Sequence, residues 1–210
     1  MRITGSCHIR HRKIVVNNVI VYQSTEGNLD QFLENAYAYF KINYPRFYKM
    51  DKLSKIGFLA AEMIMAGNDF KRYEPDHKNL VLANASASLD TDLRYAGSAK
   101  NLPSPALFVY TLPNIVAGEI CIRHTIKGEN AFFISKAFDA ALMEFYVAST
   151  LAHHANDGHH HSPSCCLAGW VDLLQEDHDV FLYLVENVTH GIEHSAEKIT
   201  DLYQTDLWNC

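Results

Sequence analysis

"AFFISKAFDAALM", residues Ala131 to Met143, is the stretch whose reading decides the fold. A compact apolar run, a short break and then apolar residues at Phe138, Ala141, Leu142, Phe145 and Ala148 read as a buried strand, a tight turn and a helix over 137–152. Many α/β enzymes place a nucleophile at such a turn. Here the tip offers Ser135, Lys136, Ala137 and Phe138, with no cysteine. Lys136 at a helix N-terminus would feel the positive end of the dipole, which lowers a lysine pKa, although a solvated lysine is the ordinary outcome.

Working outward, the remaining elements alternate. Arg2 to Ile9 reads as a first strand, and Lys13 to Ser24 as one long strand or a hairpin about Asn17-Asn18. Asn28 is placed to cap a helix bearing Leu29, Phe32, Leu33, Ala36 and Phe40. Asp51 is placed to cap a second helix, with Leu53, Ile56, Gly57, Ala60, Ala61, Ile64 and Met65 on one face and Gly67 at its end. Asn79–Leu89 reads as a central strand entering a loop of small residues. Thr91–Pro105 reads as a polar connection, and the run after it as a helix or extended segment broken at Pro113. "CCLAGWVDLL" and "VFLYLVENV" read as two strands split by an acidic turn. Ala196, Ile199, Leu202, Tyr203 and Leu207 mark a closing helix. This order predicts one α/β domain over 1–210, a five-stranded mixed sheet with helices on both faces.

The bulk numbers set bounds. The net charge of −6 offers no basic footprint for nucleic acid. No apolar run is long enough for a membrane span. The N-terminal residues lack the pattern of a signal peptide, and five cysteines, an odd number, fit reduced thiols in a cytoplasmic setting. Cys165 and Cys166 sit in an apolar run and read as core packing.

Three candidate sites can be drawn. The segment "HHANDGHHHSPSCC" collects His153, His154, His159, His160 and His161 near two cysteines. Its spacing fits no compact zinc site, so a solvated loop is expected, with metal binding at His159, His160 and His161 as the weaker reading. Ser135 with His8, His11 or His124 permits a Ser/His/Asp drawing, but a chain with 12 histidines permits many. No glycine pattern for a dinucleotide or a phosphate loop is present, and no cofactor is expected.

One long segment is more specific. "LPSPALFVYTLPNIVAGEICIRHTIKGENAFFIS" (Leu102–Ser135) resembles the part of β-ketoacyl synthases that precedes their nucleophile. Ser104-Pro105, Thr111, Asn114, Ala117-Gly118, Ile122-Arg123, Lys127-Gly128 and Asn130 stand at matching places, and Phe47–Ile64 is similar to a family helix. The resemblance covers roughly Phe47 to Glu186 and implies the N-terminal half of a thiolase-like fold. It also implies that the family's nucleophilic cysteine, nine residues beyond the glycine of Lys127-Gly128, falls on Ala137. An alanine cannot form the thiolate that accepts an acyl group. Phe138 would put a ring where the family has a small residue, so Lys136, Ala137 and Phe138 are expected at a filled acyl pocket. The histidines that complete the family's site belong to a C-terminal half not found in these 210 residues.

The expectation is therefore a ketosynthase-like chain without condensing activity, a partner or regulatory subunit of chain-length-factor type in a fatty-acid or polyketide pathway. The resemblance places Asn114, Gly118, Ile120, Asn130, Phe132, Phe133, Ile134 and Ser135 at a dimer interface. The partner would be a full-length ketosynthase, an acyl carrier protein or a second copy of this chain. Two rival readings stand beside it. One is an acyltransferase or condensing enzyme with displaced residues, using Ser135; the other is a module that binds an acyl chain or its carrier.

Overall fold

The computed structural model describes residues 1–99, 103–156 and 164–205, with side chains of 153–156 left aside. Its eight strands form one mixed sheet: β1 (Arg2–Arg10), β2 (Lys13–Val16), β3 (Val19–Gln23), β4 (Lys78–Asn84), β5 (Asn130–Ile134), β6 (Cys165–Leu174), β7 (Asp177–Glu186) and β8 (Ile192–Glu193). The order is β3-β2-β1-β7-β6-β4-β5, with β8 paired to β1. The expected five strands make the run β1-β7-β6-β4-β5, and the hairpin β2–β3 and short β8 extend it.

The hairpin is the second of the two readings of Lys13–Ser24. Asn17 and Asn18 both take positive φ, 48° and 65°, which asparagine tolerates better than most residues and which suits a two-residue turn. At the centre, all seven residues of β4 are buried, as befits a strand flanked by the parallel neighbours β5 and β6 and covered on both faces.

Helices α1 (Leu29–Tyr39), α2 (Lys52–Ala66) and α5 (Ile115–His124) cover one face; α6 (Ala140–Asn156) and α7 (Ala196–Gln204) cover the other. Local chemistry starts them where expected. Asn28 and Gln31 form a reciprocal capping box on α1, and the Asp51 side chain accepts from the Ser54 N–H at the start of α2. Two close backbone approaches need glycine. A Cβ on Gly169, at φ 147°, would sit 2.0 Å from the Phe181 carbonyl, and one on Gly128 would sit 2.6 Å from that of Lys78.

The polar stretch 91–105, expected as a connection, is partly helical. Helix α3 (Leu89–Ala99) and short α4 (Pro105–Val109) lie in the crossover from β4 to β5. α3 buries only Asp90 and Thr91, so it lacks the wide apolar stripe that announces a helix in sequence. Its hold on the body is polar: Thr91 donates to Asp51 at 2.6 Å, and Asp90 accepts from the Gln175 N–H at 2.9 Å. Among the described residues no helix is long and apolar enough to cross a membrane.

Candidate functional site: the β5–α6 turn and the open sheet edge

Strand β5 ends at Ile134, and α6 begins at Ala140 rather than at Ala137. Asp139 caps it, accepting from the Leu142 N–H at 2.9 Å. Lys136 is therefore three residues ahead of the cap and exposed, outside the reach of the helix dipole. Ala137 is exposed as well. The Ser135 N–H donates to the Asn84 carbonyl at 2.9 Å, continuing the β4–β5 ladder, while the Ser135 hydroxyl donates to the Ala137 carbonyl at 2.9 Å.

The neighbouring crest loop is built on side-chain anchors. Asn84 bonds Ala87 through both its amide nitrogen (2.9 Å) and its oxygen (3.0 Å), and the Asp172 carboxylate accepts from the N–H groups of Ala85 (3.1 Å) and Ser86 (2.8 Å). These anchors explain the small residues of "NASAS", since the backbone must wrap closely round one carboxylate. Sequence reasoning missed Asp172, which lies within an otherwise apolar strand; a lone carboxylate in such a run was the available signal.

Phe138 points into the protein. Its ring lies 4.4 Å from Tyr203, 5.6 Å from Phe181 and 6.2 Å from Trp170. Tyr203 donates in turn to Asp179, which is paired with Arg10 at 2.5 Å, so the aromatic cluster is closed at its rim by an ionic contact. Behind it, His8 stacks on Phe181 at 4.7 Å, and burial, helped by the Arg10 charge, lowers its pKa to about 3. His8 is thus a neutral core residue. His11 lies in the β1–β2 turn, and His124 ends α5 beside Glu62 at 3.1 Å. None of the three is a hydrogen-bond partner of Ser135.

Among the described residues no thiol is set up as a nucleophile, and Cys210 lies outside them. Cys7, Cys165 and Cys166 are buried, and burial pushes their thiols upward; Cys121 is pushed to about 11 by the same cause. At neutral pH each is protonated, a poor nucleophile and a poor metal ligand. Among the described residues no group of three metal-ligating side chains converges. His159, His160 and His161 lie outside the described residues.

The edge is the other half of the site. Among the described residues β5 pairs only with β4, in parallel register from Leu80–Asn130 to Asn84–Ile134. Backbone groups of Glu129 and Ser135 face β4, so by alternation those of Phe132 and Ile134 face outward, unpaired within the described chain. Asn130 is exposed, Phe132 and Phe133 are half-buried, and Ile134 is 58% exposed. Asn114 and Gly118 are exposed on α5, and a Cβ at Gly118 would meet nothing within 4 Å. Ile120, expected at the same interface, is corrected: it is fully buried between α5 and α2, where no partner can touch it. The crossover adds apolar surface that sequence reading did not single out, with Leu89, Leu93, Phe108, Val109 and Leu112 all exposed.

No family model matches the chain, and no curated protein matches its sequence. Solved structures do match. A chain of "AntDE:AntF (apo): type II PKS acyl-carrier protein in complex with its ketosynthase bound to the hexaketide" aligns with a TM-score of 0.56 at 13% identity, over 89% of this chain and 62% of that one. The chain thus spans less than two thirds of that neighbour. A chain of "Ketosynthase (ApeO) in Complex with its Chain Length Factor (ApeC) from Xenorhabdus doucetiae" aligns with a TM-score of 0.56 at 10% identity, over 97% of this chain and 90% of that one. The α/β fold, a mixed sheet between helical layers, is the fold of these ketosynthase complexes.

Proposed function

We propose that this chain is a ketosynthase-like, non-catalytic subunit of chain-length-factor type, acting beside a condensing enzyme in a polyketide or fatty-acid pathway. The observation that carries the reading is the open edge of β5, with Ile134 exposed and apolar helices at its side, next to a turn where the family thiol is replaced by Ala137. An unpaired apolar edge invites strand addition, and the natural occupant is the matching strand of a ketosynthase or of a second copy. Asn114, Gly118, Asn130, Phe132, Phe133, Ile134 and Ser135 would form the contact. A chain of the complex of a ketosynthase with its chain length factor shares this fold over 97% of these residues, which supports the reading. In this reading the Phe138 ring fills the space where the family accommodates an acyl chain, and Lys136 and Ala137 line its mouth.

The test is native purification of the protein from its own cells, with the mass and composition of the complex recorded. Recovery of a cysteine-bearing ketosynthase in a fixed ratio supports the proposal. A clean homodimer, with no condensing enzyme at any protein concentration, overturns the heteromeric form.

A further inference from the structure

At the opposite end of the parallel strands lies a cleft of about 500 Å³, between the C-terminal end of α2, the 3-10 turn Phe70–Arg72 and the end of α5. Lys78, the first residue of β4, lines it. Only 7% of Lys78 is exposed, and its ammonium sits 5.0 Å from the centre of the Phe70 ring. No carboxylate pairs with it among the described residues, and the thiol beside it, Cys165, is protonated. The contrast is Lys55, 6% exposed, whose ammonium is answered by Glu34 at 3.0 Å. An ammonium drawn out of water without an opposite charge is costly unless something supplies that charge.

One of the acids lining the cleft is already engaged. Glu62 accepts from Arg123 at 2.7 and 3.0 Å and lies 3.1 Å from His124. Burial alone would raise its pKa, but the hydrogen bonds from His124 and Arg123 hold its carboxyl at about 2. The cleft is lined by the cations Lys71, Lys78 and Arg123 against the carboxylates Glu62 and Asp69; Arg123 is paired with Glu62, and among the described residues neither carboxylate is ion-paired with Lys78. A cationic surplus is thus concentrated in one cleft of a chain whose net charge is −6.

We propose that this cleft binds a phosphate group, with the Lys78 ammonium as its buried anchor and Lys71 at its rim. A phosphate offers several acceptor oxygens and up to two negative charges to a three-donor ammonium. The volume leaves room for an organic body, so free phosphate and a phosphomonoester are the two sources of the same chemistry. The site is independent of the β5 edge and holds whether or not the chain pairs with a ketosynthase.

The test is calorimetric titration of the full chain with inorganic phosphate at constant ionic strength. Saturable binding is expected. Lys78→Met should weaken it about tenfold or more, as expected for loss of a charge-assisted hydrogen bond. Lys71→Met should weaken it less, and Lys198→Met, in α7 on the other face of the sheet, not at all. Absence of saturable binding, equal binding by Lys78→Met, or binding of chloride and acetate as tight as that of phosphate would each overturn the proposal. A second measurement guards against misfolding. In phosphate-free buffer Lys78→Met should melt no lower than the parent, because it removes an uncompensated charge; a lower Tm means the ammonium already has a partner and sinks the idea. Glycerol 2-phosphate binding more tightly than inorganic phosphate assigns an organic phosphate, and the reverse order assigns the free ion.

Discussion

Helix α2 and the β4–β5 crossover are built on opposite terms. α2 buries eleven of its fifteen residues, among them Phe58, which stacks on Tyr44 at 5.3 Å. The crossover helices α3 and α4 bury Asp90 and Thr91 alone, while Leu89, Leu93, Phe108 and Val109 face outward. The first region is complete within one chain. The second carries apolar side chains that the described residues leave exposed, and they lie in the segment leading to the open strand β5. Stability belongs to the first, and the association proposed above would belong to the second.

Mutations should separate the two. Phe58→Ala should lower the unfolding free energy by about 3–5 kcal/mol, because it empties a fully buried aromatic site. Denaturant unfolding measures it. Phe108→Asp, at a residue 57% exposed, should change stability by no more than about 0.5 kcal/mol. If it costs as much as Phe58→Ala, the crossover is core after all and the contrast fails.

Acid should act on the buried side. His8 and His194 are shifted by burial from 6.5 to about 3 and about 4. Below pH 6.5 the unfolded chain takes up protons that the folded chain refuses, so stability falls as pH drops from 6.5 toward 4. Each histidine contributes about 1.4 kcal/mol per pH unit across that window. Glu62, held at about 2 against an ordinary 4.5, adds a loss of the same sign at lower pH. Melting curves between pH 7 and pH 4 should show the decline, and His8→Phe should make it shallower. A flat profile would mean that both imidazoles are wet.

Association should respond at the edge. Ile134→Pro removes an outward-facing N–H and leaves the β4 ladder intact, so the melting temperature should hold while the complex, weighed by native mass spectrometry, dissociates. Phe108→Asp should weaken the same complex. An assembly that survives Ile134→Pro is not built on strand addition. The smallest effect is expected at the turn. Ala137→Cys should give a thiol of ordinary acidity, near 8.5, because the position is exposed and precedes the cap of α6. A thiol that alkylates rapidly at pH 6 would show an activating environment that the geometry lacks.

Much of this molecule was legible in its residues. The caps at Asn28 and Asp51, the Asn17-Asn18 hairpin and the strands around Cys165 follow from local chemistry and a simple apolar period, which one chain segment can express alone. That Ala137 carries no thiol is read directly from the sequence, because a side chain's functional group needs no coordinates. Other features were decided by the tertiary fold. α3 is held through Thr91–Asp51 and Asp90–Gln175 contacts between segments 40 and 85 residues apart, which no local pattern encodes. Ile120 faces the core because α5 lies on α2, and Asp172 organises the crest because β6 brings it beside the end of β4. Lys78 reads in sequence as an ordinary charge at a strand start. Packing against Phe70, with Glu62 already taken by Arg123 and His124, makes it a buried cation without a paired carboxylate among the described residues, since burial and pairing are properties of the assembled chain.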